Sequence, residues 1–146
     1  MSRAKDEEIA IEKMIVGEIE GMGCVLTKLG DKTYRSQNGN IIFFKYSTPH
    51  EQTSEKIYWF GIPKRKFESY PVESLYVLLI CEKRQQTLVI PGGYLSDLLK
   101  NMSMERKGNF KIHILERYGR FEIRLLGGRR EDATRFLNRF ELIVKT

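Results

Sequence analysis

The sequence predicts an α+β protein in which a mixed, largely antiparallel sheet of about six to nine strands accompanies an N-terminal helix and two short helices. Three observations predict this class. Apolar residues near the start of the chain recur at helical spacing. Most later apolar runs are short, rich in β-branched and aromatic residues, and bounded by turn residues. The length of 146 residues suits one hydrophobic core, so we expect a single domain over residues 1–146.

The N-terminal segment predicts the one long helix. Apolar side chains recur at mostly helical spacing among acidic residues between positions 6 and 20, at Ile9, Ile11, Met14, Ile15 and Ile19. Gly21 and Gly23 follow where such a helix would end.

Extended segments fill most of the middle of the chain. Residues 24–29 predict the first strand, and residues 32–37 and 40–47 predict a hairpin that turns at Asn38-Gly39. Three more strands are predicted over residues 57–62, 75–81 and 87–90, separated by polar loops at 48–55 and 63–71 and a turn at 82–86. Because residues 41–44 and 57–62 are apolar on both faces, we expect both strands to be covered on each side.

The last third of the chain predicts a second hairpin between two short helices. The first of these helices follows Pro91-Gly92-Gly93, and the hairpin spans residues 109–126 with its turn near Tyr118-Gly119. Pairing Glu116 with Phe121 places Ile114 opposite Ile123, Ile112 opposite Leu125 and His113 opposite Arg124, which buries one face and leaves the other basic. A helix over residues 132–138 and a terminal strand over 140–144 complete the predicted order.

The positive charge lies almost entirely after residue 60. Residues 1–60 contain 8 Lys or Arg and 9 Asp or Glu, a net charge of −1, whereas residues 61–146 contain 17 and 10, a net charge of +7. A basic balance suits a polyanionic partner, because each phosphate neutralised by Lys or Arg releases condensed counterions. Nucleic acid is therefore the predicted partner, and a basic surface that serves only solubility is the alternative.

Cysteine usage and hydropathy predict a cytoplasmic protein that does not bind membranes. Cys24 and Cys81 both fall within predicted strands, with no second Cys or His at metal-ligand spacing, so we expect buried free thiols. No apolar run reaches the roughly 18 residues that span a bilayer, and the start of the chain lacks the apolar stretch of a signal peptide.

One predicted binding site follows the aromatic run Tyr58-Trp59-Phe60. Lys64, Arg65 and Lys66 come directly after this strand and could hold phosphates while a base stacks on Trp59. Strand alternation allows only one of Tyr58 and Trp59 to face a given side, so we expect at least one of these rings in the core. The alternative is that both rings are core and the three cations only solvate a loop.

Further predicted binding residues lie on the second hairpin and before the last helix. Gly127-Gly128-Arg129-Arg130 leaves backbone N–H groups free at the predicted helix start, although Glu131 and Asp132 could cap that helix themselves. The full set of predicted nucleic-acid-binding residues is Lys45, Trp59, Lys64, Arg65, Lys66, Lys111, His113, Arg124, Arg129, Arg130 and Arg135.

The order of helix, strand and hairpin over residues 7–47, with Asn40-Ile41-Ile42-Phe43-Phe44-Lys45 on its last strand, resembles the core of the PD-(D/E)XK restriction-endonuclease-like superfamily. The resemblance implies a Mg²⁺ ion held by two carboxylates, with Lys45 positioning the attacking water. Glu12 or Glu18 would supply the carboxylate of the first helix. Phe43 stands where the motif has an acid, so the second carboxylate would come from Asp31 or from the acidic residues of segment 48–55.

The sequence thus leaves three functions open. The leading one is a non-catalytic domain that binds the phosphate backbone of DNA without a cofactor, with RNA as a further possible partner. The second is a divergent Mg²⁺-dependent nuclease that uses Lys45. The third is a protein-interaction module with Trp59 as its anchor. The oligomeric state does not follow from the sequence.

Overall fold

The computed structural model describes residues 3–51, 54–100, 108–125 and 128–145. The helices of this part of the chain are α1 (Arg3–Gly21), α2 (Lys64–Ser69), α3 (Gly92–Leu99) and α4 (Glu141–Val144). Its strands are β1 (Leu26–Gly30), β2 (Thr33–Ser36), β3 (Ile41–Ser47), β4 (Pro49–Glu51), β5 (Lys56–Pro63), β6 (Leu75–Cys81), β7 (Thr87–Pro91), β8 (Asn109–Arg117), β9 (Arg120–Arg124) and β10 (Arg130–Asp132).

The strands form two five-stranded sheets, and the predicted α+β class with its N-terminal helix is confirmed. The first sheet has the order β1-β2-β3-β6-β7 and the second has the order β10-β9-β8-β5-β4. All neighbouring strands are antiparallel except β3 and β6, which are parallel. The prediction had placed the strands in one sheet. Two sheets arise because the chain leaves the first sheet after Ser47 and pairs β4 with β5 in the second.

Three layers result, with the main core between the two sheets. Phe43 and Val77 of the first sheet meet Tyr58, Phe60 and Ile114 of the second in this core. Burying each such side chain contributes about 1.5–3 kcal/mol relative to leaving it exposed.

The opposite face of the first sheet is covered by helices. Ile15 and Ile19 of α1 and Ile143 of α4 share a cluster with Ile42 and Phe44 of β3. Helices and first sheet therefore sandwich one core, and the two sheets sandwich the other, so the second sheet forms an outer layer of the described structure. No helix among the described residues is both long and apolar enough to cross a membrane.

Both predicted hairpins are confirmed. Gly39 adopts a φ of 90° between β2 and β3, and Tyr118 and Gly119 have φ values of 53° and 80° between β8 and β9. Tyr118 and Gly119 thus meet the requirement of a type I′ turn, which is positive φ at both central residues and which follows the twist of the strands. The predicted register of the second hairpin is also observed, with Glu116 opposite Phe121, Ile114 opposite Ile123 and His113 opposite Arg124.

The C-terminal elements were predicted wrongly. The predicted helix over 132–138 is instead the end of β10, which pairs with β9, followed by a 3-10 turn over Thr134–Phe136. The predicted terminal strand over 140–144 is α4. Phe140 and Ile143 are both buried. Their spacing of three residues lets one helical face turn both side chains to the core, and five residues are too few to distinguish this pattern from a strand.

Smaller differences concern the loops and the cysteines. The predicted loop at 48–55 contains β4, and the predicted loop at 63–71 contains α2. Both cysteines are free and buried, as predicted, although Cys24 precedes β1 rather than lying within it. The clusters of the two thiols lie on opposite faces of the first sheet.

Candidate nucleic-acid interface

The outer face of the second sheet carries a row of aromatic and basic side chains. Trp59 of β5 is opposite His113 of β8, His113 is opposite Arg124 of β9, and Arg124 is opposite Arg130 of β10. Residues opposite each other in a sheet project from the same face. Tyr58, the chain neighbour of Trp59, points into the core and is fully buried. The prediction that β5 is covered on both faces is therefore wrong, whereas one of its two rings is in the core, as predicted.

Three of the rings stack on one another. The ring centroids of His50 and Trp59 are 3.9 Å apart with planes inclined by 16°, and those of Trp59 and His113 are 5.4 Å apart with an inclination of 18°. Trp59 remains 49% exposed. Its backbone N–H donates to Ser47 Oγ at 3.1 Å. We call His50, Trp59 and His113 the aromatic row. Because β4 and β8 flank β5, the two histidines cover opposite faces of the indole, and the exposed part of Trp59 is its edge.

His113 brings an unsatisfied polar atom into the aromatic row. Its Nε2 is buried and has no hydrogen-bond partner among the described residues. Burial lowers the pKa of His113, and the nearby charges of Arg124, Lys111 and His50 lower it further. A neutral imidazole is therefore favoured at neutral pH. Buried polar groups are normally paired, so this ring nitrogen lowers the stability of the folded protein.

Half of this outer face is covered. Ile57 and Leu115 also project outward, yet both are buried. Glu55 Oε2 lies 2.7 Å from Arg130 Nη1. Glu55 directly precedes β5, and β10 lies three strands away, about 14 Å at normal strand spacing. The side-chain ion pair between Glu55 and Arg130 therefore crosses this half of the face. The half with Trp59, Gly61, Lys111, His113 and Arg124 stays open.

The cations of the outer face differ in whether a carboxylate of the same chain already pairs with them. Lys111 is exposed and Arg124 is half-buried, and neither forms an ion pair with any described residue. Arg130, in contrast, contacts Glu122 as well as Glu55, at 3.4 and 2.7 Å. Lys111 and Arg124 are therefore the cations that a polyanion on the open half would meet first.

A second group of cations surrounds a pocket of about 320 Å³ beside the end of β5. We call it the basic pocket; its lining residues are Asp31, Lys32, Phe43, Lys45, Pro63, Arg65 and Lys66. Lys66 Nζ donates to Thr33 Oγ1 at 2.9 Å and lies 4.6 Å from the centroid of the Phe43 ring. Lys32 Nζ lies 3.0 Å from Glu8 Oε2 on α1.

The pocket lysines repel one another. Burial lowers the pKa of Lys45, and Lys32 lowers it further, while Glu8 and Asp31 act in the opposite direction. Burial likewise lowers the pKa of Lys66, with Arg65 adding to the shift. Both shifts mean that the charged ammonium groups are held in a site with too little negative charge.

The remaining predicted cations lie elsewhere. Lys64 borders a neighbouring apolar pocket with Phe67 and Phe110. Arg129 Nη2 lies 3.4 Å from Glu131 Oε2, and the Arg135 guanidinium lies over the rings of Tyr94 and Phe136. The helix start that was expected to use Arg129, Arg130 and Arg135 does not form, because Arg130 belongs to β10 and Arg135 to the 3-10 turn.

The carboxylates required by the nuclease resemblance are dispersed. Glu12 accepts a hydrogen bond from the Tyr34 hydroxyl at 2.7 Å, and Glu18 pairs with Arg84. Asp31 alone among the named acids lines the basic pocket with Lys45. Within the ranges that the structure describes, no three His, Cys, Asp or Glu residues form a group suited to a metal ion.

Sequence reasoning missed two contributors. His50 was assigned to a polar loop, and Lys32 was not considered. His50 stands opposite Ile57 in the β4–β5 pair, and its ring extends onto Trp59. Lys32 occupies a turn position with a φ of 58° between β1 and β2. A sequence signal existed for His50 only, since a histidine shortly before an aromatic strand can join that strand's hairpin.

No protein-family model matches this chain, and no curated protein is significantly similar to it in sequence.

Proposed function

We propose that this protein binds single-stranded nucleic acid on the outer face of the second sheet. A base would continue the row by stacking on the exposed ring of His50 and would contact the exposed edge of Trp59, while Lys111 and Arg124 neutralise phosphates. The observation that supports this proposal is the aromatic row, in which a 49% exposed Trp59 is stacked between two histidines beside two unpaired arginine or lysine side chains. Single strands are bound by this combination of stacking rings and a basic surface.

A single strand fits this face better than a duplex. A flat ring on an open sheet can stack only on a base whose own face is accessible, and bases within a duplex are already stacked on their neighbours. Flat sheets with exposed rings serve as such platforms in other nucleic-acid-binding folds. DNA is the partner expected from the sequence, and the contacts described above act on bases and phosphates that DNA and RNA share.

The proposal can be tested with the protein's own fluorescence, because Trp59 is its single tryptophan. Titration with DNA and RNA oligonucleotides at low salt should quench the emission as bases contact the exposed edge of the indole. Trp59→Ala should weaken binding, measured by anisotropy of labelled oligonucleotides, by about 1–3 kcal/mol, or roughly 5- to 150-fold.

Tyr118→Asn is the matched control. Tyr118 is an exposed aromatic residue at the β8–β9 turn, outside the aromatic row, and Asn tolerates its positive φ. This variant should bind like the wild type. If oligonucleotides leave both the emission and the anisotropy unchanged at low salt, the proposal is wrong.

The nuclease alternative retains one supporting feature, the shared position of Asp31 and Lys45 on the basic pocket. It predicts that the protein cleaves plasmid DNA with Mg²⁺ or Mn²⁺ and that Lys45→Ala abolishes cleavage. The interaction-module alternative predicts that Trp59→Ala affects binding of a protein partner while no oligonucleotide binds.

A further inference from the structure

We infer that the basic pocket binds a terminal phosphate group of the strand that lies on the aromatic row. This inference rests on the proposed function and adds to it a site that distinguishes the end of a strand from its interior. The ligand group is a phosphate monoester, at the 5′ or the 3′ end.

The charge of the pocket matches a monoester. Four cationic side chains surround it, Lys32, Lys45, Arg65 and Lys66, and two carboxylates act on them, Asp31 from the lining and Glu8 through Lys32. Two positive charges therefore remain without compensation. A phosphate monoester carries about −1.5 to −2 at pH 7, whereas an internal diester carries one negative charge. A monoester also offers three oxygens to donors.

The donors of the pocket are incompletely satisfied. Lys66 Nζ hydrogen-bonds only to the neutral Thr33 hydroxyl and faces the Phe43 ring. Lys45 is half-buried, and its ammonium group makes no hydrogen bond or ion pair with any residue in the described ranges. Removing an ammonium group from water without giving it a counter-charge is unfavourable, so a bound dianion would relieve a cost that the folded protein already carries.

The pocket lies beside the end of the strand that carries Trp59, on the side of the second sheet that faces the first. Pro63 lines the pocket, and Trp59 lies four residues earlier on the same strand, about 13 Å away at the rise of an extended chain. Gly61 lies between them on the same face and opposite Lys111. A strand bound on the row would therefore pass over Gly61 and around the end of β5 to reach the pocket. A base on Trp59 and a phosphate in the pocket can therefore belong to one short strand.

The test compares three forms of one labelled oligonucleotide: 5′-phosphorylated, 3′-phosphorylated and bearing hydroxyls at both ends. We expect one phosphorylated form to bind at least tenfold more tightly than the hydroxyl form. Millimolar inorganic phosphate should remove that difference. Lys45→Gln and Lys66→Gln should each reduce the difference to less than threefold, so that one variant suffices if the other does not fold.

Lys13→Gln is the matched control, because Lys13 is exposed on α1, on the far side of the first sheet. It should keep the full difference between the phosphorylated and hydroxyl forms. Equal affinity of all three oligonucleotides would overturn the terminal-phosphate site while leaving the proposed function intact. If no oligonucleotide binds but inorganic phosphate shifts the NMR signals of Lys45, the proposed function and the strand-end assignment both fail, and the pocket is a site for a free phosphate compound.

Discussion

At the scale of single residues, one face of β5 packs into the core and the other carries an exposed ring. Tyr58 is fully buried, whereas Trp59 is 49% exposed although it is the larger ring. A solvent-exposed tryptophan loses the free energy that its burial would supply. The stacking with His50 and His113 holds the ring in place without covering its outer area. The position is thus better suited to a ligand than to the core.

His113 should make stability depend on pH. Its pKa is lowered by burial and by neighbouring cations, so the unfolded chain binds a proton more readily than the folded protein does. Stability should therefore be constant above the unfolded pKa of about 6.5 and fall as the pH drops below it. We expect the urea midpoint of the wild type to fall between pH 7.5 and 5.5.

His113→Phe keeps a ring in the row but removes the titrating group, so the decline in its midpoint should be smaller. His50→Phe, the control, should retain most of the decline attributed to His113. An equal decline in the wild type and in His113→Phe would contradict this assignment.

The positive charge of Lys45 should lower the free energy of unfolding. Its pKa is lowered by burial and by Lys32, so at neutral pH the charged form is disfavoured in the folded protein. Lys45→Met preserves the aliphatic stem and removes the charge, and it should raise the free energy of unfolding by about 0.5–2 kcal/mol. The gain should shrink as the pH rises through the pKa of Lys45, where the wild-type side chain becomes neutral.

Urea denaturation of both proteins measures this gain. Lys13→Met on the exposed side of α1 should change stability by less than about 0.5 kcal/mol. A loss of stability in Lys45→Met would mean that the ammonium group is stabilising.

At this scale the sequence predicts which residues are basic or aromatic, but not which of them come together. Alternation predicts that one of Tyr58 and Trp59 is buried, and the hairpin register places His113 beside Arg124. The basic pocket is not predictable in the same way, because Lys32, Lys45 and Lys66 come from three elements whose approach depends on how the sheets pack.

At the scale of elements, the start of α3 requires a residue without a side chain at Gly92. A Cβ atom at Gly92 would lie 2.8 Å from the carbonyl oxygens of both Val72 and Leu75. Gly93, the next residue of the same helix, has no atom within 4 Å of its Cβ position. The helix thus approaches the backbone of the turn before β6 too closely for a side chain at Gly92 but not at Gly93.

Gly92→Ala should therefore destabilise the protein by about 1–3 kcal/mol through overpacking against backbone. Gly93→Ala should be neutral or stabilising by up to about 1 kcal/mol, because alanine favours helices. Thermal or urea denaturation of the pair compares the two positions. Similar losses in both variants would show that helix propensity, not the contact with residues 72 and 75, determines the effect.

Local sequence signals predict the two hairpins, in which both strands and the turn lie within one short segment. The two hairpins were predicted because each contains its own turn residues and register. β10 and α4 were not, since β10 forms only by pairing with β9, and α4 is positioned partly by the Asn40 amide, which donates to the Ile143 carbonyl oxygen at 2.8 Å. The partner of α4 is 103 residues away, whereas β10 lies next to β9 in the chain but is only three residues long and has no strand pattern of its own.

At the scale of the whole molecule, the charge asymmetry divides into separate surfaces. Arg124 and Lys111 flank the aromatic row, the basic pocket lies beside the end of β5, and Arg135 lies against α3 through Tyr94. Only part of the excess positive charge is thus placed where one strand can reach it.

Salt dependence should distinguish these surfaces. Binding of a single strand weakens with salt, and each phosphate contact contributes about 0.7 to the slope of log K against log salt concentration. Arg124→Gln should lower that slope by about 0.7, whereas Arg135→Gln should leave it unchanged. Anisotropy titrations at four salt concentrations measure the slopes. Equal slopes in the wild type and both variants would show that Arg124 makes no phosphate contact.

Under the proposed function, the ion pair between Glu55 and Arg130 would also limit how many nucleotides one protein occupies. Arg130 continues the line of Trp59, His113 and Arg124, but a carboxylate of the same chain already takes the place of a phosphate there. Because Arg130 also contacts Glu122, the double variant Glu55→Gln with Glu122→Gln should release it and enlarge the occluded site on a long homopolymer by about one nucleotide, as one more phosphate contact forms. Stoichiometric quenching of Trp59 by that polymer counts the nucleotides per protein. The protein would then limit its own site size with a carboxylate that takes the place of a ligand phosphate.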